Sequence, residues 1–172
     1  MLRGINLGPN RRIAMVDLRR TLTDAGYEDV ETYVQSGNIA LSSPAKPATL
    51  QTDLATAIQQ RFGMEVPVIV RSARQLKAVV AHDPIEGAAD DPKRYQVSFL
   101  DAKLPAATVR RIHELAGETE QVVVHGREVY AWHPDGVARS KLWNGLAGQG
   151  LGVTATARNW TTVVKLLEMA SG

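Results

Sequence analysis

Four short polar motifs carry most of the side chains suited to binding a ligand. Each sets guanidinium, amide or hydroxyl groups where a predicted strand ends or a predicted helix begins, and anion and ligand sites are common at such points. The candidate ligand-binding residues in these motifs are Arg3, Asn6, Ser36, Asn38, Arg139, Lys141, Arg158 and Asn159. None of the motifs is a recognised nucleophile, metal or cofactor constellation, so whether the protein is an enzyme stays open.

The start of the last predicted helix is a candidate anion site. Asn159 is predicted to be its N-cap, which would leave the backbone amides of residues 160–162 and the positive end of the helix dipole pointing outward beside an exposed Arg158. Such a helix start favours an oxyanion or a phosphate. In the structural alternative, Asn159 only caps the helix, Arg158 pairs with an acid, and Trp160 fills an interface.

A second cradle of the same kind is predicted before the first helix, in the loop Gly8-Pro9-Asn10 with Arg3, Arg11 and Arg12 nearby.

The net charge is only +2, from 20 basic and 18 acidic residues. A nucleic acid would therefore have to be attracted by local arginine clusters, since the overall field is weak. The expected partner is a phosphate-bearing small molecule or a nucleic acid. The alternative is that these arginines lie on solvated helix faces.

Other kinds of site find little support. The four histidines stand too far apart for a helical zinc pair and have no acidic companion at ligand spacing, so no metal site is predicted. The run Gly148-Gln149-Gly150-Leu151-Gly152 lacks the spacing of a dinucleotide-binding loop and is interpreted as a connector. No phosphate-binding P-loop occurs, and no cofactor is expected.

The composition is that of a protein able to form a packed interior. The chain has 172 residues, of which 44% are hydrophobic. It contains no cysteine, which fits a reducing compartment and excludes disulfides and thiolate chemistry. No stretch approaches the roughly 20 apolar residues of a membrane span. The expected location is the cytoplasm, with no membrane partner.

Apolar spacing predicts the order β-α-β-β-α-β twice. In the first half, strands are predicted at 2–6, 30–35, 38–42 and 66–70, with helices at 15–25 and 50–62. In the second half, strands are predicted at 95–100, 121–125, 128–133 and 152–156, with helices beginning near Pro105, Arg139 and Asn159. A capping box at Ser72 and Gln75 predicts a connecting helix between the halves.

The predicted fold is α+β, with two ferredoxin-like (βαββαβ) subdomains packed together and an extra C-terminal helix. The first subdomain is predicted at residues 1–72, the connecting helix and linker at 73–94, and the second subdomain with the final helix at 95–172. Each half would leave one sheet face uncovered. We therefore expect the halves to pack together, with a ligand bound in the groove between them.

With these motifs placed, the chain resembles the DUF1697 family, bacterial proteins of unassigned function. The matching stretches run through the chain in order and are 2–8, 15–19, 32–39, 139–142 and 157–163. The resemblance implies a two-subdomain α+β fold and no known activity.

The preferred hypothesis is binding of an anionic, phosphate-bearing ligand, either a nucleotide or a nucleic acid. One alternative is a phosphate-handling enzyme similar to the acylphosphatases, which share the half-fold and would place an arginine near Arg11 or Arg12 and an asparagine near Asn38. The other is an RNA-binding sheet face. Its stacking residues would be Tyr95, Phe99, Tyr130 and Trp132.

Overall fold

The computed structural model describes residues 1–8, 11–147 and 149–172. The chain divides into two compact units, unit 1 with Met1–Leu76 and Leu166–Gly172, and unit 2 with Lys77–Lys165. Within the described residues there are six α-helices and two small sheets, so the α+β class is confirmed. No helix in these ranges combines the length and apolar character needed to cross a bilayer.

Unit 1 is built on a β-hairpin with two amphipathic helices. Helix α1 (Met15–Asp24) precedes strands β1 (Glu28–Tyr33) and β2 (Asn38–Ser42), which pair antiparallel, and α2 (Pro47–Phe62) follows. Apolar residues at helical spacing face one core because each helix has a single apolar stripe. The fully buried members of this core include Leu2, Ile5, Leu18, Leu22, Leu54 and Ile58.

The prediction of outer strands at residues 2–6 and 66–70 of unit 1 is wrong, because neither stretch forms a regular strand. Only an isolated antiparallel bridge joins Leu2 to Val68. The reason lies in the backbone just after Leu2, where Gly4 and Asn6 have φ of +69° and +55°. Residues in the left-handed region cannot continue a strand, so the pairing stops after a few hydrogen bonds.

Helix α3 (Ala73–His82) begins in unit 1 and continues into unit 2. It starts with the predicted capping box. The Ser72 amide donates to Gln75 Oε1 at 2.9 Å, and the Gln75 amide donates to Ser72 Oγ at 3.3 Å. Since both bonds of the motif form, this prediction from local sequence is confirmed.

Unit 2 contains a four-stranded antiparallel sheet. Its strands are β3 (Tyr95–Leu100), β4 (Gln121–His125), β5 (Glu128–Trp132) and β6 (Ala155–Asn159), in the spatial order β4-β5-β3-β6. The helices are α4 (Ala106–Leu115), α5 (Lys141–Ala147) and α6 (Trp160–Ser171). Helices α4 and α5 share a core with one sheet face through Leu100, Ile112, Val129, Leu142 and Leu146.

Strand β6 occupies 155–159, three residues later than the predicted 152–156. Gly152 has a φ of +72° and therefore belongs to the turn before the strand. The shift has a consequence for the candidate site. Arg158 lies within a paired strand, opposite Val97, and does not lie in a loop before the last helix.

Candidate functional site

In unit 1, the predicted residue Asn6 joins three segments of the chain. Its Nδ2 donates to the carbonyl oxygens of Ile13 at 3.0 Å and Gln35 at 2.7 Å. Its Oδ1 accepts the Ile13 amide at 2.9 Å. Because both amide hydrogens are used within the protein, Asn6 fixes the first loop against the hairpin and has no further N–H for a ligand.

Asn38 has an equally structural position. Its side chain is fully buried and donates to the Tyr33 carbonyl at 3.1 Å and to Ser36 Oγ at 2.9 Å, which closes the hairpin loop. Ser36 is exposed, while Arg3 is half-buried and donates its backbone amide to the Pro67 carbonyl at 3.0 Å. Two of the four unit 1 candidates thus have amides that hold the fold together.

The acylphosphatase-like alternative receives no support from this geometry. Its asparagine would be Asn38, whose amide lies inside the hairpin. Its arginine would be Arg11 or Arg12. Arg11 donates to the carbonyl oxygens of Gly4 at 3.1 Å and Glu65 at 2.6 Å, and Arg12 is exposed. The second predicted cradle includes Pro9 and Asn10, which lie outside the described residues.

In unit 2, the four predicted residues fall at one end of the sheet, where β3 and β4 begin and β5 and β6 end. Arg158 and Asn159 are the last residues of β6. Arg139 and Lys141 are exposed on either side of Ser140, whose hydroxyl contacts His133 just after β5. Strands β5 and β6 both pair with β3, so they are about 10 Å apart.

Arg158 is a buried cation. Only 8% of the residue is exposed, which corrects the expectation of an exposed arginine. Its Nη1 donates to Thr156 Oγ1 at 2.9 Å and to the Ala157 carbonyl at 2.6 Å. Burial lowers the pKa of the guanidinium to about 10, because desolvation disfavours the charged form. Arg158 is still protonated at neutral pH.

Asn159 caps α6 as predicted, but most of the predicted cradle is closed. The Asn159 Oδ1 accepts the Thr162 amide at 3.0 Å. The Trp160 amide donates to the Pro92 carbonyl at 3.0 Å. Two of the three amides expected to face a ligand are therefore already bonded, because the segment before β3 folds over the helix start.

Unit 2 contains a buried polar cluster that was not predicted from the sequence. His133 is fully buried, and its Nδ1 lies 2.6 Å from Glu120 Oε1 and 3.3 Å from Ser140 Oγ. Glu120 Oε2 also accepts the Gly117 amide at 2.9 Å, and Ser140 Oγ accepts the Trp143 amide at 2.8 Å as the N-cap of α5. His133 thus has an acidic neighbour in space, Glu120, which lies 13 residues earlier in the chain and was not predicted as its partner.

The cluster differs from a hydrolase triad because Ser140 and Glu120 both contact the same nitrogen of His133. The other nitrogen, Nε2, is buried without a hydrogen-bond partner among the described residues. Burial alone would raise the pKa of Glu120, but hydrogen bonds from Ser140, the Gly117 amide and His133 hold it below the ordinary value of 4.5. Glu120 is therefore ionised at neutral pH.

The hairpin turn between β4 and β5 is the sequence feature from which this cluster could be predicted. Gly126-Arg127 is a two-residue turn that pairs His125 with Glu128 and Gln121 with Trp132. Extending the same register by one residue places Glu120 opposite His133. In the described ranges, no group of three or more His, Cys, Asp or Glu side chains is arranged to hold a metal ion.

Residues 1–130 match the family model described as protein of unknown function (DUF1697). The chain belongs to the DUF1697 family. The DUF1697 chain is also similar to a solved structure, conserved bacterial protein SP0830 from Streptococcus pneumoniae, at 23% identity and a TM-score of 0.78. The match covers 99% of this chain and 96% of that chain, and at this identity it shows the fold alone. Comparison with curated proteins gave no match.

The aromatic side chains that would stack RNA bases are mostly inside this DUF1697 protein. Tyr95, Phe99 and Tyr130 are at most 1% exposed, and only Trp132 is half-buried. Tyr95 stacks on Trp160 with ring centroids 4.7 Å apart, and the Tyr130 hydroxyl donates to the Val79 carbonyl at 3.2 Å. These residues offer no open stacking surface, so the RNA-binding alternative loses its structural basis.

Replacing Asn159 with alanine in this DUF1697 protein is expected to lower the free energy of unfolding by about 1 kcal/mol, because the Thr162 amide loses its cap. Urea denaturation measures the change. Asn144→Ala is the matched control, since Asn144 is exposed within α5. Equal stability losses in the two variants would show that the Asn159 cap contributes nothing specific.

Proposed function

We propose that the protein binds an anionic, phosphate-bearing ligand at the end of the unit 2 sheet, with Arg158 as its main contact. The observation that carries the proposal is the burial of this guanidinium, which is only 8% exposed. Taking a charge out of water is costly, and burial is what lowers its pKa to about 10. A phosphate is a matching ligand for a guanidinium, because its oxygens accept hydrogen bonds from the planar N–H groups of arginine.

The surroundings of Arg158 favour an anion as well. Arg139 and Lys141 are exposed at the same end of the sheet and add positive charge. Helix α6 begins two residues after Arg158, so the positive end of its dipole lies nearby, with the Trp160 and Thr162 amides already bonded within the protein. Since the pKa of Arg158 is about 10, its own charge is constant over the physiological range. Nucleotides and nucleic acids both carry the required phosphate.

We also propose that both units have a ferredoxin-like fold. A ferredoxin-like unit 2 is supported by its β-α-β-β-α-β order and its antiparallel sheet. For unit 1 the support is the same order, with the Leu2–Val68 bridge in place of the outer strands. One groove holding all eight candidate residues stays a prediction.

A thermal-shift screen tests the proposal with inorganic phosphate, nucleotides, sugar phosphates and short RNA and DNA oligomers as probes. A ligand at a hundredfold excess over its Kd stabilises the folded state by about 2.7 kcal/mol, which is easily seen as a rise in Tm. We expect at least one phosphate-bearing probe to raise the Tm of the wild type. We expect the rise to disappear in Arg158→Met, which keeps the length of the side chain and removes its charge.

Arg110→Met is the matched control, because Arg110 is exposed on α4. It should keep the ligand-induced rise in Tm. Arg158→Lys should retain part of it, since the charge remains without the bidentate geometry. The proposal fails if no phosphate-bearing probe raises the Tm of the wild type, or if Arg158→Met responds as the wild type does.

A further inference from the structure

Strand β4 lies at one edge of the unit 2 sheet, where β5 is its neighbour on the inner side. Its sequence is Gln121-Val122-Val123-Val124-His125, with three β-branched residues in succession. The strand contains no lysine, acidic residue or proline, and its pairing with β5 shows no bulge. A regular strand of this composition pairs readily with a further strand, because nothing on it opposes the pairing.

The backbone register shows which groups of β4 point away from the sheet. The Leu100 amide donates to the Arg127 carbonyl at 2.9 Å, so the next residue, Glu128, directs its backbone N–H and C=O toward β4. Successive residues alternate in this respect, and the pairing then leaves the N–H and C=O of Val122 and Val124 on the outer side of β4. No hydrogen bond joins these outer groups to any other residue that the structure describes.

Two other strands show how an edge is blocked in this protein. On the opposite edge of the same sheet, the Asp101 amide donates to the Thr154 carbonyl, so the alternation directs the Ala157 carbonyl of β6 outward. Arg158 Nη1 donates to that carbonyl at 2.6 Å. In unit 1, β1 has three acidic residues in its first four positions and a break in register there. Charged side chains and irregular pairing are what natural edge strands use against association, and β4 has neither.

Both faces of β4 already have neighbours within unit 2. Val122 and Val124 pack against the core that α4 and α5 share with the sheet. On the other face, the ring of His125 lies against the ring of His82 at the end of α3, with centroids 4.1 Å apart. A partner at β4 therefore has the edge to bind, and an edge is recognised by another extended strand.

We propose that β4 pairs antiparallel with β4 of a second copy of this chain, about a two-fold axis at Val123. In this register, Val122 faces Val124 of the partner subunit, and the two residues exchange two hydrogen bonds through their outer groups. The two-fold axis generates the same pair a second time. The four-stranded sheets of the two copies then form one continuous sheet.

The sequence of β4 favours a second copy over a different partner. It reads polar, Val, Val, Val, polar, so an antiparallel copy in this register places valine against valine and Gln121 against His125 of the partner subunit. No acidic or basic pair is set opposite its own kind, which is the usual obstacle to self-pairing. The strand also offers no permanent charge by which it could select an acidic or basic segment of another protein. This edge is separate from the Arg158 side chain, so the proposal does not depend on the ligand.

A disulfide crosslink tests the register. The wild-type chain has no cysteine, so any disulfide in a single-cysteine variant joins two copies. Val123 would face itself across the axis in a non-hydrogen-bonded pair, where the Cα atoms are about 4.5 Å apart, within the range of about 4.4–6.8 Å that a disulfide spans. We expect oxidised Val123→Cys to run as a covalent dimer on a non-reducing gel.

Val124→Cys is the matched control, because Val124 is a neighbouring half-buried valine on the same strand. In the proposed register it is displaced from its own copy by about 5.5 Å across the strands and about 7 Å along them, too far for a disulfide. It should stay uncrosslinked under the same oxidation.

Val122→Pro tests the hydrogen bonds of the edge. Proline removes an outer N–H and leaves the bonds between β4 and β5 in place, which is why edge strands tolerate it. We expect sedimentation to show a dimer for the wild type and a dimer Kd at least tenfold weaker for Val122→Pro, since each copy loses one donor to the other. Circular dichroism confirms that the variant is folded, and the crosslinking test stands if it is not.

Three results would overturn the proposal. One is a wild type that sediments as a monomer at the concentration used for crosslinking. Another is crosslinking of Val124→Cys as readily as Val123→Cys, which would mean random collision or a different register. The last is a wild-type dimer whose Kd is unchanged in a folded Val122→Pro, because such a dimer uses another surface.

Discussion

Replacing Glu120 with alanine is expected to lower the free energy of unfolding by about 3 kcal/mol. The carboxylate accepts hydrogen bonds from His133 and the Gly117 amide, and the Ser140 hydroxyl also helps to stabilise its charge. His133 and Ser140 are both buried, so their polar groups cannot turn to water when the acceptor is removed. Each buried donor left without a partner costs about 1–3 kcal/mol, and this desolvation penalty dominates the estimate.

Urea denaturation monitored by tryptophan fluorescence measures the loss. Glu118→Ala is the matched control, because Glu118 is an exposed acid two residues away and should change stability by less than about 0.5 kcal/mol. If Glu120→Ala is no less stable than Glu118→Ala, the buried cluster is not what holds this end of the sheet.

The pH dependence of stability gives a second check on Glu120. Its pKa in the folded protein lies below the ordinary value of 4.5, so the folded state releases this proton more readily than the unfolded state. The resulting stabilisation is complete above about pH 4.5 and is lost as the pH falls through the folded pKa. The wild type should therefore lose more stability than Glu120→Gln between neutral pH and that acidic range.

Replacing Gly37 with alanine is expected to cost about 3 kcal/mol of unfolding free energy. Gly37 has a φ of +76°, and an added Cβ would lie 2.7 Å from the Leu2 Cβ and 2.8 Å from the Ile5 Cδ1. The left-handed backbone costs an alanine about 1–2 kcal/mol, and overpacking a core adds about 1–3 kcal/mol. Relief of the clash requires moving Leu2, whose backbone is bonded to the Gly37 carbonyl.

Gly26→Ala isolates the backbone part of this effect. Gly26 has a φ of +89°, and an added Cβ there meets nothing within 4 Å. We expect it to cost about 1 kcal/mol in the same urea titration, from backbone strain alone. Equal losses in the two glycine variants would mean that the contact with Leu2 and Ile5 is unimportant.

Local signals in the sequence predicted local structure well. The stop of α2 at Gly63 is present, with a φ of +66° at that glycine. The capping box at Ser72 and Gln75 forms both of its bonds, and Asn159 caps α6. In each case the deciding atoms lie within a few residues of one another, so one short stretch of chain determines the outcome.

Predictions that depended on distant pairing were less accurate. The burial of Arg158 follows from the register of β6 against β3, whose residues are about 60 positions earlier in the chain. The closure of the α6 start depends on Pro92, which no local pattern indicated. The contact between Glu120 and His133 lies between these two cases in predictability. The two-residue turn between β4 and β5 fixes the register that brings the two residues together.

The central position of β3 also determines when unit 2 can fold during synthesis. Strand β3 pairs with β5 on one side and with β6 on the other, and β6 ends at Asn159. One edge of β3 therefore waits unpaired while the ribosome makes the intervening residues, several seconds at about 5–20 residues per second. Val97, Phe99 and Leu100, which are fully buried in the finished sheet, are exposed to aggregation throughout that interval.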